Sequence, residues 1–173
     1  AALAVQRKEK LPTIYYGART HKQIEQVVKE FARTVYSGEA AMTVLSSREY
    51  SCIREFDRHQ WPSKNDMCRG CVKVRKDFAS NKKESSNCLY HNNRKLLNHR
   101  SLPAVFDLED LVKAGKEKQA CPYYAAREMA TAANIIFCPY NYLIEPSIRS
   151  SMQIDVSDNI VIIDEGHNIE DVC

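Results

Sequence analysis

The chain has 173 residues, of which 44% are apolar and 27% are charged, an ordinary composition for a soluble globular domain. Only five glycines and six prolines are present, which excludes a collagen-like or low-complexity chain. The apolar run Ile160–Ile163 is far too short to span a membrane, and the apolar residues 1–5 are too few for a signal peptide. Because the sequence lacks an initial methionine and stops abruptly at Cys173, we expect a piece of a longer protein.

The net charge is only +3, from 25 basic and 22 acidic residues, but the basic residues are unevenly distributed. Residues 69–100 contain nine lysines and arginines against two acidic residues. A local excess of this size favours a polyanionic partner, and a solvated basic loop is the alternative.

Seven cysteines are many for this length, and no secretion signal accompanies them. In a reducing compartment, clustered cysteines hold a metal or a metal cluster more often than they form disulfides. Any single one could instead be a small buried hydrophobic residue. The seven are Cys52, Cys68, Cys71, Cys88, Cys121, Cys138 and Cys173.

The first part of the chain predicts a strand, a helix and a second strand. The strands are residues 13–16 and 42–45, both short and β-prone. Apolar residues recur at helical spacing between them, and Ser37-Gly38 ends the pattern. These apolar residues are Ile24, Val27, Val28, Phe31 and Val35.

Residues 49–100 show no sustained periodicity, although they contain four of the cysteines. An irregular stretch of this length is uncommon in a compact domain, and a bound metal centre could organise it.

Regular elements return after residue 100. In order, they are a helix from residue 107 to near Gly115, a helix over 123–133 with Pro122 in its first turn, a strand over 135–138, a short helix over 145–150 and a buried strand over 160–163. Strands thus alternate with helices on both sides of the irregular stretch. This order predicts a parallel α/β sheet with a second module inserted into it.

The last predicted strand leads directly into Asp164, Glu165 and His167. Ligands of open α/β sheets bind at the carboxyl ends of the strands. An aspartate there can hold magnesium, and an adjacent glutamate can orient or deprotonate an attacking water. The alternative is an acidic helix N-terminus that also includes Glu170 and Asp171.

Several segments, in this order, resemble one family. Residues 164–170, DEGHNIE, resemble the D-E-A-H box of superfamily 2 helicases, and residues 19–24, RTHKQI, resemble their motif Ia. Three further segments are similar to the iron–sulfur, XPD-like branch: SSR at 46–48 followed by Cys52, CPYY at 121–124, and PYNYL at 139–143. The resemblance covers residues 11–173.

This resemblance implies a fragment of a RecA-like P-loop NTPase motor domain, with a parallel sheet and an inserted iron–sulfur cluster module. The implied boundaries are residues 1–48 for the first part of the motor domain, 49–121 for the insertion and 122–173 for the return to the motor domain. The implied activity of the intact protein is ATP-dependent 5′-to-3′ DNA unwinding, in nuclear DNA repair and genome maintenance. Its partners would be single-stranded and forked DNA, ATP with Mg²⁺ and other repair proteins, without a membrane.

The resemblance also implies roles for individual residues. Asp164 would bind magnesium, Glu165 would activate water, and His167 would couple the nucleotide state to DNA. The residues along the DNA path would be Arg19, Thr20, His21 and Gln23.

A 4Fe–4S cluster would be held by four cysteines, for which we choose Cys52, Cys68, Cys88 and Cys121, with Cys71 as the alternative to Cys68. Without the resemblance, the Cys68-x-x-Cys71 spacing favours structural zinc. The competing hypothesis is therefore a zinc-binding, nucleic-acid-binding module without catalysis. A ferredoxin-like redox protein would explain neither the α/β pattern nor motif Ia.

The sequence departs from the family pattern at Gly166, where alanine is usual, and at residues 53–55, which read IRE instead of IHP. No G-x-x-x-x-G-K-[ST] phosphate loop occurs in the 173 residues. We therefore expect the chain by itself neither to hydrolyse ATP nor to unwind DNA.

Overall fold

The computed structural model describes residues 11–72 and 86–169. In that part of the chain, four strands form one sheet in the order β2-β3-β1-β4, and each neighbouring pair is parallel. The strands are β1 (Ile14–Ala18), β2 (Met42–Val44), β3 (Ile135–Pro139) and β4 (Ile160–Ile163). The predicted parallel α/β architecture is confirmed.

The helices connect the strands, and several of them lie in the long connection between β2 and β3, which contains the predicted insertion (residues 49–121). They are α1 (His21–Ala32), α2 (Arg48–Ser51), α3 (Lys64–Val72), α4 (Leu89–Asn92), α5 (Leu108–Glu117), α6 (Pro122–Ala130), α7 (Asn141–Ile144) and α8 (Pro146–Met152). Short 3₁₀ turns occur at Val35–Gly38, Arg94–Leu96 and Gly166–Asn168. None of the described helices has the length and apolar character needed to cross a lipid bilayer.

The main core lies between the sheet and the helices that cover it. Helix α1 packs on β1 and β3, and α6 packs on β2. Phe137 of β3, Met42 of β2 and Leu111 of α5 are almost completely buried in one hydrophobic cluster. Burial of apolar surface here stabilises the fold by about 25 cal/mol per Å² removed from water.

Gly17 allows α7 to lie directly against β1. A Cβ atom at this position would come within 2.9 Å of both the Leu143 Cδ1 and the Tyr140 Cβ atoms. The backbone N–H of Tyr140 donates to the carbonyl of Ala18 at 3.0 Å, so the segment after β3 is fixed to the end of β1. The close approach explains why glycine occupies the strand at this point.

Several predicted boundaries differ from the structure. Helix α1 ends at Ala32, so Val35 lies in a 3₁₀ turn with its side chain exposed, because the capped helix leaves the sheet before that residue. Helix α5 passes through Gly115, whose lack of a side chain accommodates Pro122. The nine-residue helix α3 was not predicted, because its sequence KNDMCRGCV has no strong apolar stripe.

The prediction that β4 is buried is wrong. Ile160, Val161 and Ile162 are 46%, 42% and 41% exposed. Strand β4 pairs with β1 and is the last strand of the sheet in the described part of the chain. A continuous apolar run identifies a parallel-sheet strand, but it does not show whether both faces are covered in a given chain.

Candidate functional site

The acidic box, residues 164–167, directly follows β4 and leaves the sheet beside the segment that follows β1. The two strands are parallel and in register from Ile14 opposite Ile160 to Gly17 opposite Ile163. The backbone N–H of Asp164 then donates to the carbonyl of Gly17 at 2.8 Å. Because the carboxyl ends of parallel strands lie together, the acidic box and the segment that begins at Arg19 lie side by side there. We call this line of strand ends the sheet edge.

The Asp164 carboxylate interacts with the hydroxyl of Tyr16. Burial raises the pKa of the Tyr16 hydroxyl, and the negative charge of Asp164 and a hydrogen bond to it raise that pKa further. The carboxylate lies at the end of β4, where Asp164 is only half-buried. Asp164 therefore remains accessible to a cation at the edge of the sheet.

Glu165 and His167 lie next to each other on the exposed turn that follows. Glu165 has a left-handed backbone, with φ of 49° and ψ of 45°, which residues other than glycine adopt at a cost of about 1–3 kcal/mol. Its Oε2 atom is 3.3 Å from Nδ1 of His167. The residues after it form a 3₁₀ turn, while Glu170 and Asp171 lie outside the described residues.

The residues of motif Ia form the start of α1. Thr20 and Gln23 make a capping box: the Gln23 N–H donates to Thr20 Oγ1 at 3.2 Å, and the Thr20 N–H donates to Gln23 Oε1 at 2.9 Å. This satisfies two backbone donors at the helix N-terminus. The exposed side chain of Arg19 precedes the cap. Thr20 and Gln23 thus have a structural role in addition to their predicted one.

His21 connects the start of α1 to the insertion. Its ring lies 4.4 Å from the ring of Tyr50, centroid to centroid, and burial lowers the pKa of its imidazole. The buried Nδ1 atom has no hydrogen-bond partner among the described residues. A groove of about 550 Å³ runs beside it between α1 and α5, and Lys22 and Lys113 lie on its walls.

Five thiols line a second cavity, within the insertion. It encloses about 330 Å³ of empty space, counted to its open mouth, and its wall also includes Met67, Tyr90, His91 and Tyr124. Cys52 directly follows α2, Cys88 and Cys121 are the N-cap residues of α4 and α6, and α3 contributes two thiols. The five are Cys52, Cys68, Cys71, Cys88 and Cys121. We call this the thiol cavity.

Neighbouring thiols act on the pKa values of Cys52 and Cys121. The pKa of the Cys121 thiol is raised to about 12, chiefly by burial and also by Cys52, Cys68 and Cys88, while a hydrogen bond from the Tyr124 backbone N–H acts to lower it. Burial likewise raises the pKa of Cys52, with Cys68 and Cys88 among the contributing neighbours and the backbone N–H of Arg54 acting in the opposite sense. The thiols that take part in these two effects are Cys52, Cys68, Cys88 and Cys121.

The described residues contain no group of three or more His, Cys, Asp or Glu side chains arranged to hold a metal ion. A zinc site needs its sulfurs about 2.3 Å from a single point. The thiols of the described residues therefore share one cavity without converging on a single point.

Sequence reasoning missed the polar groups next to the thiol cavity. The half-buried guanidinium of Arg48 lies 4.2 Å from the Tyr123 ring centroid and donates to the Tyr124 hydroxyl at 3.4 Å. That hydroxyl is 4.0 Å from Sγ of Cys68. Burial acts to lower the pKa of Arg48, but the hydrogen bond to Tyr124 and the nearby Tyr123 and Cys68 raise it overall, so Arg48 stays charged. In the sequence, the signal that could have identified Arg48 was its position four residues before Cys52.

The remaining cysteines and the bases of residues 69–100 lie outside the two sites described above or outside the described residues. Cys138 is completely buried in β3, and burial raises the pKa of its thiol to about 12, as expected for a core residue. Arg94 of the basic stretch forms an ion pair with Glu128. Five bases of this stretch and one cysteine lie outside the described residues: Lys73, Arg75, Lys76, Lys82, Lys83 and Cys173.

Comparison with known families identifies the class. The model of the DEAD_2 family matches residues 16–173, and the chain belongs to this family. It is 45% identical over 168 residues to the Fanconi anemia group J protein homolog of Gallus gallus, covering 93% of this chain and 13% of the relative. It is 38% identical over 167 residues to the regulator of telomere elongation helicase 1 homolog of Drosophila grimshawi, covering 94% of this chain and 16% of the relative.

Solved structures of XPD share the fold. One, described as truncated XPD, superposes with a TM-score of 0.56 at 20% identity, covering 99% of this chain and 45% of the other. A second, an XPD helicase, gives 0.55 at 20% identity, covering 94% of this chain and 26% of the other. The predicted XPD-like fragment is confirmed. Residues 17–24 and 34–38 resemble the group J member in particular, in agreement with the 45% identity.

Proposed function

We propose that this chain is part of the first motor domain of an ATP-dependent 5′-to-3′ DNA helicase that acts in nuclear DNA repair and genome maintenance. The chain spans 13% and 16% of the two relatives described above, so the activity belongs to the intact protein. The observation that carries the proposal is the pairing of β1 with β4, which brings motif Ia and the acidic box to one edge of the sheet.

On the nucleotide side, Asp164 would hold the magnesium ion of Mg–ATP, and Glu165 would accept a proton from the attacking water. Magnesium, when bound, neutralises charge on the phosphates. The Tyr16 hydroxyl lies near the Asp164 carboxylate, and the side chain of Glu165 is exposed. His167, whose Nδ1 atom is 3.3 Å from Oε2 of Glu165, would respond to the charge of Glu165 and so link this position with the DNA.

On the DNA side, Arg19 would contact the strand's phosphates at the start of α1, where backbone N–H groups and the helix dipole also favour an anion. Thr20 and Gln23 would keep the helix start in place through their capping box. His21 and Lys22, beside the groove between α1 and α5, extend this surface toward the insertion. Such contacts bind the backbone with little dependence on base sequence and weaken with salt.

In the insertion, Cys52, Cys68, Cys88 and Cys121 would hold a structural 4Fe–4S cluster. Support comes from their shared cavity and their mutual influence. Further support comes from backbone N–H groups directed at Cys52 and Cys121, since hydrogen bonds to the sulfurs accompany such clusters. Cys121 is also the N-cap residue of α6, so its sulfur lies at the N-terminus of a helix.

The insertion would span residues 49–121. Cys52, which directly follows α2, and Cys121, the N-cap residue of α6, lie near its two ends. A cluster held by both would brace the insertion against the motor domain.

The decisive test is Glu165→Gln in the intact protein, with Glu39→Gln as the matched control. Glu39 is an exposed carboxylate that precedes β2, so it lies near the amino ends of the parallel strands, away from the acidic box. We expect E165Q to reduce DNA-stimulated ATP turnover by at least about 100-fold while ATP binding is retained, because a general base contributes about 10²–10⁴ in rate. Unchanged turnover in E165Q, or an equal loss in E39Q, would overturn the assignment.

A further inference from the structure

The thiol cavity has one more thiol than a 4Fe–4S cluster needs. Cys68 and Cys71 are three positions apart on α3, which separates them by about 60° around the helix axis and about 4.5 Å along it. Residues at this spacing lie on one face of a helix, and both thiols line the cavity. The second thiol of α3 therefore requires an explanation.

The two thiols border different parts of the cavity. Cys68 is half-buried, with its Sγ atom 4.0 Å from the Tyr124 hydroxyl. Cys71 is 8% exposed and belongs to a buried cluster with Met67 and Cys88, against which Cys52 also packs. Cys71 is thus packed among two of the proposed ligands rather than in the core of the sheet.

A second observation separates Cys71 from an ordinary buried cysteine. Cys138, which is fully buried in β3, is in the main core cluster, whereas Cys71 belongs to a separate cluster inside the insertion. Cys71 therefore shares the thiol cavity with the proposed ligands and packs directly against Cys88.

We propose that Cys71 is a reserve ligand, which takes the place of Cys68 when the bond between Cys68 and the cluster is broken or its thiol is removed. This inference rests on the proposed 4Fe–4S cluster. In the exchange, the Cys71 thiol gives its proton to water and its sulfur bonds to the iron that Cys68 leaves. The Cys68 thiolate takes up a proton, and no electron is transferred.

The local structure limits how far α3 can move during this exchange. The Trp61 ring packs over Gly70, between the two cysteines, in the space that a side chain at Gly70 would need. At the start of the helix, Ser63 and Asp66 hydrogen-bond to each other. These contacts hold α3 in place, so both of its thiols stay at the cavity during the exchange.

The test uses the intact protein, purified without oxygen, and measures iron and sulfide per chain in C68S, C71S and C68S/C71S. We expect C71S to match the wild type and C68S to retain more than half of the wild-type iron. We expect C68S/C71S to retain less than a tenth. The electron paramagnetic resonance spectrum of the reduced cluster should change in C68S, because its ligand set changes, and remain unchanged in C71S.

Two further variants separate ligand loss from misfolding and from failure of the cluster proposal. C68S/M67L alters a buried neighbour in the same cavity without removing a second thiol and should keep the iron of C68S. C88S removes a ligand without a reserve and should lose the cluster. If C68S loses as much iron as C88S, the reserve role is overturned while the cluster stands. If the wild type holds no iron, or C88S keeps it, the proposed cluster itself is overturned.

Discussion

The sheet edge and the thiol cavity are built in opposite ways. At the sheet edge, Asp164 and motif Ia are positioned by regular parallel strands, through backbone hydrogen bonds such as Asp164 N–H to Gly17 at 2.8 Å. The thiol cavity is bounded by short helices and irregular segments whose cysteines come from distant parts of residues 52–121. Backbone hydrogen bonds between strands therefore fix the geometry of the sheet edge. The thiol cavity has few such bonds to hold its walls together. A bound group at the thiols would supply what the second region lacks.

The largest expected effect is confined to the cavity. In the intact protein, Cys88→Ser should lower the iron content below about a tenth of wild type, because one of four thiolate ligands is lost. Limited proteolysis should then cut within residues 52–121 and leave the sheet intact. The matched control is Cys138→Ala, whose thiol lies in β3 outside the cavity and should not affect iron. Wild-type iron in C88S would show that the ligands are wrongly assigned.

A smaller effect is expected where the two regions meet. Arg48→Ala removes a half-buried guanidinium from the Tyr123 ring and the Tyr124 hydroxyl. We expect a loss of about 1–3 kcal/mol in the free energy of unfolding, from a desolvated cation–π contact and a hydrogen bond. Urea denaturation would measure it. Arg33→Ala, at an exposed i,i+3 ion pair with Glu30, should change stability by less than about 0.5 kcal/mol. Equal losses in the free energy of unfolding for R48A and R33A would mean that Arg48 does not stabilise the region next to the thiol cavity.

At the sheet edge, Thr20→Ala should destabilise α1 by about 1 kcal/mol, because the capping box is lost. Thr20→Ser keeps the hydroxyl and should restore most of the stability. Chemical denaturation with a fluorescence probe would compare the three proteins. A similar loss in both variants would assign the effect to the methyl group and not to the cap.

The smallest effect is a pH dependence at His21. Burial lowers the pKa of its imidazole in the folded state, so the unfolded chain takes up the proton first as the pH falls. The contribution to stability is therefore fully present above the unfolded pKa of about 6.5 and declines as the pH drops through the folded value. His21→Asn should reduce the difference in unfolding free energy between pH 7 and pH 5. Part of the difference should remain, because the pKa of His91 is also lowered, chiefly by burial. An unchanged difference in H21N would contradict the assignment.

A last prediction concerns the ATPase activity of the isolated chain. The 173-residue chain contains no phosphate-loop motif, so it should show no ATPase activity above buffer when purified by itself. Robust turnover that is abolished by E165Q would contradict this expectation.

The sequence predicts the sheet better than the cavity. The strands around residues 14, 42, 135 and 160 follow from local apolar patterns, and each forms where expected. Exposure depends on neighbouring strands, which is why the burial of β4 was predicted wrongly. Helix α3 has only Met67 and Cys71 buried, too few apolar positions to give a periodic signal.

The grouping of Cys52, Cys68, Cys88 and Cys121 followed from family resemblance, not from periodicity, because contacts between residues so far apart in sequence leave no local pattern. The same limit hid the position of Arg48 between the two tyrosines, whose ring contacts join α2 to α6. The assignment of cluster ligands and of catalytic roles stays a prediction that the variants above test.

The exposed outer edge of β4 has a practical consequence. In the part of the chain that the structure describes, no strand pairs with the outer side of β4, and three of its aliphatic side chains are exposed. Such an edge forms a template on which a second copy can add its own strand. Self-association of the isolated 173-residue polypeptide should therefore rise steeply with concentration. A lysine in place of Val161 would act as a gatekeeper and keep such preparations monodisperse.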